Sequence, residues 1–146
     1  MISAEYLAGF FDGEGYAYAY RAKKGQFLLM VGIVNTHFNV LKSLQDQFGG
    51  NLYPKKRRSE KHSQGWELRW YGEEGKAVLL YMLPSLIVKK AEISYLIDNW
   101  YKLIKVRGVK GQILTSNEIA ERDAVIAQYK AVRASERKVN QHELIN

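Results

Sequence analysis

Apolar and polar positions change period several times along the chain, and each change marks an element. From Ser3 the run Ser-Ala-Glu-Tyr-Leu-Ala predicts a short helix with a serine cap and a carboxylate in its first turn. Glycines at 13 and 15 place its end near Asp12-Gly13. From Tyr16 the period becomes two, with Tyr16, Tyr18 and Tyr20 on one face and Ala17, Ala19 and Arg21 on the other, which predicts a strand. RAKKGQ (21–26) reads as a hairpin turn and FLLMVGIV (27–34) as the returning strand. In that strand Phe27, Leu29, Val31 and Ile33 form the core face, leaving Gln26, Leu28, Met30 and Gly32 opposite.

Between 38 and 48 the apolar positions Val40, Leu41, Leu44 and Phe48 make one helical stripe, which Gly49-Gly50 terminates. NLYPKKRR and GWELRWYG predict a second hairpin around the polar loop 59–65, with Pro54 marking an edge strand. Leu52, Leu68 and Trp70 face inward, and Tyr53, Lys55, Arg57, Glu67, Arg69 and Tyr71 share the other face. After Gly72 a helix runs to Pro84. KKAEISYLIDNWYKLI predicts a longer one with Ile93, Leu96, Ile97, Trp100 and Ile104 inward. Residues 107–111 form a basic connection, and Thr115 and Glu118 a capping box opening a last helix with Ile119, Ile126, Tyr129 and Val132 on its apolar stripe. The fold class is α+β, in the order αββαββα with further helices at the end. A single domain spans 1–146, with its core at about 6–105, the C-terminal helix at 115–134 and a flexible polar tail at 135–146. Two αββ halves suggest internal symmetry, without a residue-level repeat.

Composition narrows the chemistry. The 146 residues include 22 Lys+Arg against 15 Asp+Glu, a net charge of +7, which favours a polyanionic partner: nucleic acid first, an anionic membrane second. The absence of cysteine excludes disulfides, thiolate metal sites and cysteine nucleophiles. No apolar run approaches the roughly 18 residues that cross a bilayer, and the N-terminal stretch has no basic segment of a signal peptide. A soluble intracellular protein, with no membrane association and no small-molecule cofactor, is expected.

Asp12 and Glu14 lie two apart among three glycines. They read as solvated loop acids, as the start of a calcium loop, or as a reactive pair. The calcium loop fails on spacing, since the sixth and twelfth positions from Asp12 are Ala17 and Lys23 rather than Gly and Glu. A glycosidase pair lacks any accompanying sugar cleft in the pattern. The whole run Leu7-Ala8-Gly9-Phe10-Phe11-Asp12-Gly13-Glu14-Gly15 resembles the nine-residue motif of the LAGLIDADG homing endonucleases. Leu7, Ala8, Gly9, Asp12 and Gly15 match outright, and Glu14 stands in the acidic slot. The strand and helix order agrees from about Tyr6 to Lys105.

That resemblance implies a site-specific double-stranded DNA endonuclease. A chain with one such motif would work as a homodimer, the motif helices packing through Leu7, Ala8, Gly9, Phe10 and Asp12. The two Glu14 side chains then meet at the helix ends, where together with the carbonyl of Gly13 they offer hard oxygen ligands suited to Mg²⁺, two or more ions per dimer. Further resemblance assigns catalytic roles to Asn35, which otherwise reads as part of a helix N-cap, and to Lys89, with Lys90 as the neighbouring register. The polar sheet face would lie in the DNA major groove. Its contact residues are Tyr16, Tyr18, Tyr20, Lys24, Gln26, Leu28, Met30, Tyr53, Lys55, Arg57, Glu67, Arg69 and Tyr71, with Lys23, Lys56, Arg58 and Lys61 anchoring phosphates from the loops. The family also implies a long, nearly palindromic target cut across the minor groove to leave short 3′ overhangs. The rival expectation is a non-cutting nucleic-acid binder of the same fold, an RNA splicing maturase or a transcriptional regulator.

Overall fold

The computed structural model describes residues 1–21, 27–103 and 114–145, with side chains through 138. Lys23, Lys24, Gln26, Ile104 and the connection 107–111 lie outside the described residues. The chain divides into two compact units, the first comprising 1–18 and 29–87 and the second the described parts of 19–28 and 88–146.

In the first unit, helix α1 (Ala4–Glu14) is capped by Ser3, whose side chain accepts from the Tyr6 N–H at 3.2 Å. It runs two residues beyond the expected stop. Gly13 costs about 1 kcal/mol of helix propensity, but Leu7, Ala8 and Phe11 are fully buried, and that packing carries the helix through. Strand β1 (Gly15–Arg21) follows at once, then β2 (Phe27–Asn35), α2 (Phe38–Phe48), β3 (Asn51–Pro54), β4 (Trp66–Tyr71) and α3 (Gly72–Met82). A short 3₁₀ turn, Leu83–Ser85, closes the unit's chain near Pro84.

The strands form one sheet in the order β1-β2-β4-β3, so β3 with its terminal Pro54 is an edge, as a strand lacking that N–H donor requires. β4 pairs antiparallel with β2, placing Ile33 opposite Leu68 and Val31 opposite Trp70, and antiparallel with β3, placing Leu52 opposite Leu68. One sheet face therefore presents Leu29, Val31, Ile33, Leu68 and Trp70 to α2 and α3, whose Leu41, Leu44, Val78, Leu79 and Met82 complete the core. Gly49 and Gly50 adopt φ of 75° and 94°, left-handed conformations that let the chain reverse from α2 into β3. The Gly49 carbonyl accepts from the Trp70 indole at 3.0 Å.

On the opposite face Met30 is only 6% exposed, and a Cβ on Gly32 would collide with the Tyr16 ring. Alternation alone treats this face as open. The large tyrosine next to glycine closes it locally.

In the second unit, α4 (Lys90–Asp98), α5 (Trp100–Leu103) and α6 (Ser116–Ile145) pack together. The single helix expected over this stretch is broken at Asn99, whose backbone and side-chain amides both donate to the Tyr95 carbonyl, the kind of local competition that ends helices. The capping box of α6 is present: Thr115 Oγ1 accepts from the Glu118 N–H at 3.2 Å, and Glu118 reaches back to the Thr115 N–H. α6 continues to Ile145, past the start of the polar tail expected at 135. Its buried stripe is Arg122, Val125 and Tyr129, whereas Ile119, Ile126 and Val132 are half-buried. Arg122 is tolerated inside because its guanidinium donates to the carbonyls of Leu103 and Glu118. Tyr129 donates to Glu92 at 3.3 Å, and burial pushes the Glu92 carboxyl above its ordinary value. Among the described residues no helix is long and apolar enough to cross a membrane.

Candidate functional site

Helix α1 has two faces of opposite character. Leu7 and Ala8, expected between two motif helices, are instead wholly inside the chain's own core with Phe11. The outward face carries Tyr6, Gly9, Phe10 and Gly13, which recur at the three- and four-residue spacing of one helical stripe. Tyr6 is 54% exposed and stacks on Phe10 with ring centroids 6.1 Å apart. A Cβ on Gly9 or Gly13 would meet no heavy atom within 4 Å. The small residues are therefore not demanded by this chain's own packing.

Asp12, beside that stripe, is half-buried. Its Oδ2 accepts from the Ile87 N–H at 2.9 Å, which ties α1 to the segment after the 3₁₀ turn. Ile87 itself is 85% exposed, an apolar side chain with no core role.

Glu14 is exposed at the C-terminal end of α1, and the last turn contains no basic residue. Helix carbonyls leave that end electronegative, so a carboxylate there is disfavoured unless a cation is present. The donors at hand, the Glu14 carboxylate and the terminal carbonyls including that of Gly13, are all oxygen, the set that Mg²⁺ and Ca²⁺ accept. Among the described residues no three carboxylate or imidazole groups converge. The oxygen donors at the end of α1 fit a hard divalent cation in kind.

Asn35 ends β2. Its Oδ1 accepts from the His37 N–H at 2.8 Å, and the His37 ring in turn caps α2 through the Val40 N–H. Lys89 and Lys90 fall in the second unit, Lys89 half-buried as the N-cap of α4 and Lys90 exposed as its first residue.

The sheet face brings several predicted residues into one network. Glu67 is 3% exposed, and its Oε1 accepts from the Tyr16 hydroxyl and from Arg69 Nε, each at 2.5 Å, while Oε2 accepts from Lys55 Nζ at 2.9 Å. The Arg69 guanidinium lies 4.9 Å from the Tyr53 ring centroid, a cation–π arrangement. Tyr18 stacks on Tyr16. Leu28, Tyr53 and Tyr71 are exposed, and Tyr20 is half-buried. Arg57, Arg58 and Lys61 extend from the loop joining β3 to β4, whose base is fastened by the Lys55 N–H to the Gly65 carbonyl and by the Gln64 side chain to the Lys55 carbonyl. Lys56 is exposed there as well.

Burial alone would raise the Glu67 carboxyl, but donation from Arg69, Tyr16 and Lys55 holds it down, from an ordinary 4.5 to about 2. Burial first, then the bond to Glu67, pushes the Tyr16 phenol well above its ordinary value. A depressed carboxyl adds stability above the unfolded pKa and loses it as pH falls through the folded one. The network's contribution is therefore complete above about pH 5 and disappears towards pH 2. Roughly 2–3 kcal/mol is at stake. Melting of wild type and Glu67→Gln between pH 7 and pH 2 checks this: the wild-type advantage shrinks below pH 4.5 and is nearly gone at pH 2.

No protein-family model matches the chain, and no curated protein does. Solved structures do. The homing endonuclease I-TnaI superposes with a TM-score of 0.63 at 19% identity, over 97% of each chain. An archaeal intron-encoded homing endonuclease complexed with DNA gives a TM-score of 0.63 at 15% identity, covering 88% of this chain and 82% of that one. The chain has the LAGLIDADG homing-endonuclease fold. Within this fold the LAGLIDADG enzyme I-GzeII, in complex with its DNA target, matches 92% of this chain but only 45% of its own, with a TM-score of 0.60 at 15% identity. The present chain thus corresponds in length to half of that endonuclease.

Two features lay outside the sequence reading. Gln47 brackets the residue before the helix cap, its side-chain amide accepting from the Ile2 N–H at 2.8 Å and donating to the Ile2 carbonyl at 3.1 Å. Tyr81 donates to the same carbonyl. Neither pairing leaves a local sequence signal, because the partners are 45 and 79 positions apart. The other is the burial of Glu67. The spacing of Glu67 and Arg69 on one strand face is the only sign of it.

Proposed function

We propose that the protein is a site-specific DNA endonuclease that works as a homodimer, each copy binding one half of a nearly palindromic duplex. The observation that carries this is the open Tyr6–Gly9–Gly13 face of α1 leading to an exposed Glu14 in a last turn without a basic residue. A second copy packed on that face across a two-fold axis brings two Glu14 carboxylates together. The half-length match to I-GzeII supports the same arithmetic, with two copies of the fold for one duplex.

Glu14 and the Gly13 carbonyl of each copy would hold Mg²⁺, whose chemistry when bound is to activate a water and stabilise the leaving oxygen of a phosphodiester. Asn35, fastened to the start of α2, would orient a polar group beside the reacting phosphate. Lys89 would offset its developing negative charge, with Lys90 the alternative in the next register. Tyr16, Tyr18, Tyr53, Arg69 and Tyr71 would meet the major groove, and Lys56, Arg57, Arg58 and Lys61 the phosphates. Leu7, Ala8 and Met30 are left out of these contacts because all three are buried within the chain, while half-buried Asp12 would flank the α1 interface beside its bond to Ile87. Hydrolysis of both strands to leave 3′ overhangs follows from the same reading.

The test is incubation of a randomised duplex library with Mg²⁺, beside Ca²⁺ and Glu14→Gln controls, and sequencing of the cut ends. Discrete cuts at a near-palindrome, absent from both controls, support the proposal. Tight specific binding without cutting in any condition replaces it with the regulator or maturase reading. Affinity for the selected duplex will also fall on the order of 10³-fold or more between 50 and 200 mM salt, as filter binding across that range will measure.

A further inference from the structure

Every donor in the Glu67 network has a direction, and together they hold one part-exposed guanidinium against the covered carboxylate. Glu67 belongs by position to the face proposed to meet DNA, where a free carboxylate would accept from cytosine N4. It is not free. Both oxygens are engaged by three donors, and the side chain is almost wholly covered. A base approaching this face would find no carboxylate to read.

Arg69 is in the opposite position. Its Nε donates to Glu67, one face of its guanidinium lies over Tyr53, and Tyr71 is within hydrogen-bonding reach. Only about a third of the side chain is exposed. Nε is committed to Glu67 and a further donor goes to Tyr71, so the donors left for a ligand lie on the terminal Nη pair. That end-on pair is the fork that matches guanine O6 and N7 in the major groove. A guanidinium held on two sides before binding loses less rotamer entropy when it docks than a free one does.

From this geometry, and resting on the DNA-binding reading above, we infer that Arg69 demands a guanine at one position of each half-site and that Glu67 is its positioning residue rather than a base reader. Tyr16 and Lys55 serve the same end, holding the carboxylate still while cancelling its charge near phosphate. A buried anion on a DNA-facing sheet would otherwise repel the duplex. Three donors around it convert that liability into a fixed support for Arg69.

The experiment selects duplexes from a randomised library with full-length protein in Ca²⁺ and counts base preference position by position. Wild type, Arg69→Lys and Glu67→Gln are compared, each after its melting curve shows a folded protein. Wild type is expected to prefer guanine by about tenfold or more at one position per half-site. Arg69→Lys keeps the charge and removes the fork, so that preference collapses while the other positions hold. Glu67→Gln lowers the same preference several-fold and moves no other. A guanine preference that survives Arg69→Lys overturns the assignment to Arg69, and so does an equal loss of affinity for all sequences. A preference that survives Glu67→Gln intact, while Arg69→Lys abolishes it, overturns the role of Glu67. Absence of any duplex binding by wild type overturns the DNA reading itself, and this inference with it.

Discussion

Glu14→Gln will lower the rate of DNA cleavage by on the order of 10³-fold or more while leaving duplex affinity in Ca²⁺ within a few-fold of wild type. With Glu14 as the metal ligand proposed above, several kcal/mol of transition-state stabilisation would depend on its charged oxygen, and each 1.36 kcal/mol is about a tenfold change in rate. The substitution is nearly isosteric, and Glu14 is exposed at a helix end, so the fold has little reason to respond. Removing a carboxylate from the negative end of α1 will even relieve a small repulsion, about 0.3–1 kcal/mol. Single-turnover cleavage of the selected duplex, set beside its binding isotherm and a melting curve, separates the outcomes. Equal loss of binding and cutting would make Glu14 a structural residue.

Gly9→Gln will break self-association and cleavage together without destabilising the single chain. Glycine inside a helix costs roughly 0.5–1 kcal/mol against a good helix former, so the folded monomer gains or holds its stability. Among the described residues, its own helix backbone apart, no heavy atom lies within 4 Å of a Cβ at this position. A second helix packed closely across Gly9 has no such room, because its approach distance is set by the side chains at the contact. Loss at the centre of an interface costs about 2 kcal/mol or more, about 30-fold in the dimer dissociation constant. Sedimentation over a concentration series, with melting of the same samples, reads both quantities. Unchanged association with normal melting would remove the α1 face from the interface.

These two residues also mark how far the chain's own pattern is legible. Local periodicity reports local structure well here: the tyrosine–alanine alternation of β1, the stripe bounding α2 at 38 and 48, and the capping box at Thr115 are each set by neighbours a few positions away. The motif from Leu7 to Gly15 placed Glu14 at a helix end for the same reason. The motif does not tell its two faces apart. Leu7, Ala8 and Gly9 stand together in sequence, but successive helical residues turn by about a quarter of a circle or more. Leu7 and Ala8 therefore enter the core while Gly9 looks out.

The sheet face shows the same division. Strict alternation assigned Met30 and Glu67 to an open surface, yet both are buried. Tyr16 reaches across to Gly32 and Glu67, and Lys55 and Arg69 close around the carboxylate. Alternation specifies which side of the sheet a residue takes, because strand geometry repeats every two residues. It does not specify how far a neighbour 51 positions away extends over it. Element order, the α+β class, the basic surface and the acid at the helix end were thus determined by the sequence alone, since each depends on local pattern or charge count. The open face of α1, the bond of Asp12 to Ile87 and the binding of Arg69 to a buried Glu67 were decided only by tertiary structure. They depend on which distant side chains meet, and on which positions are left with none.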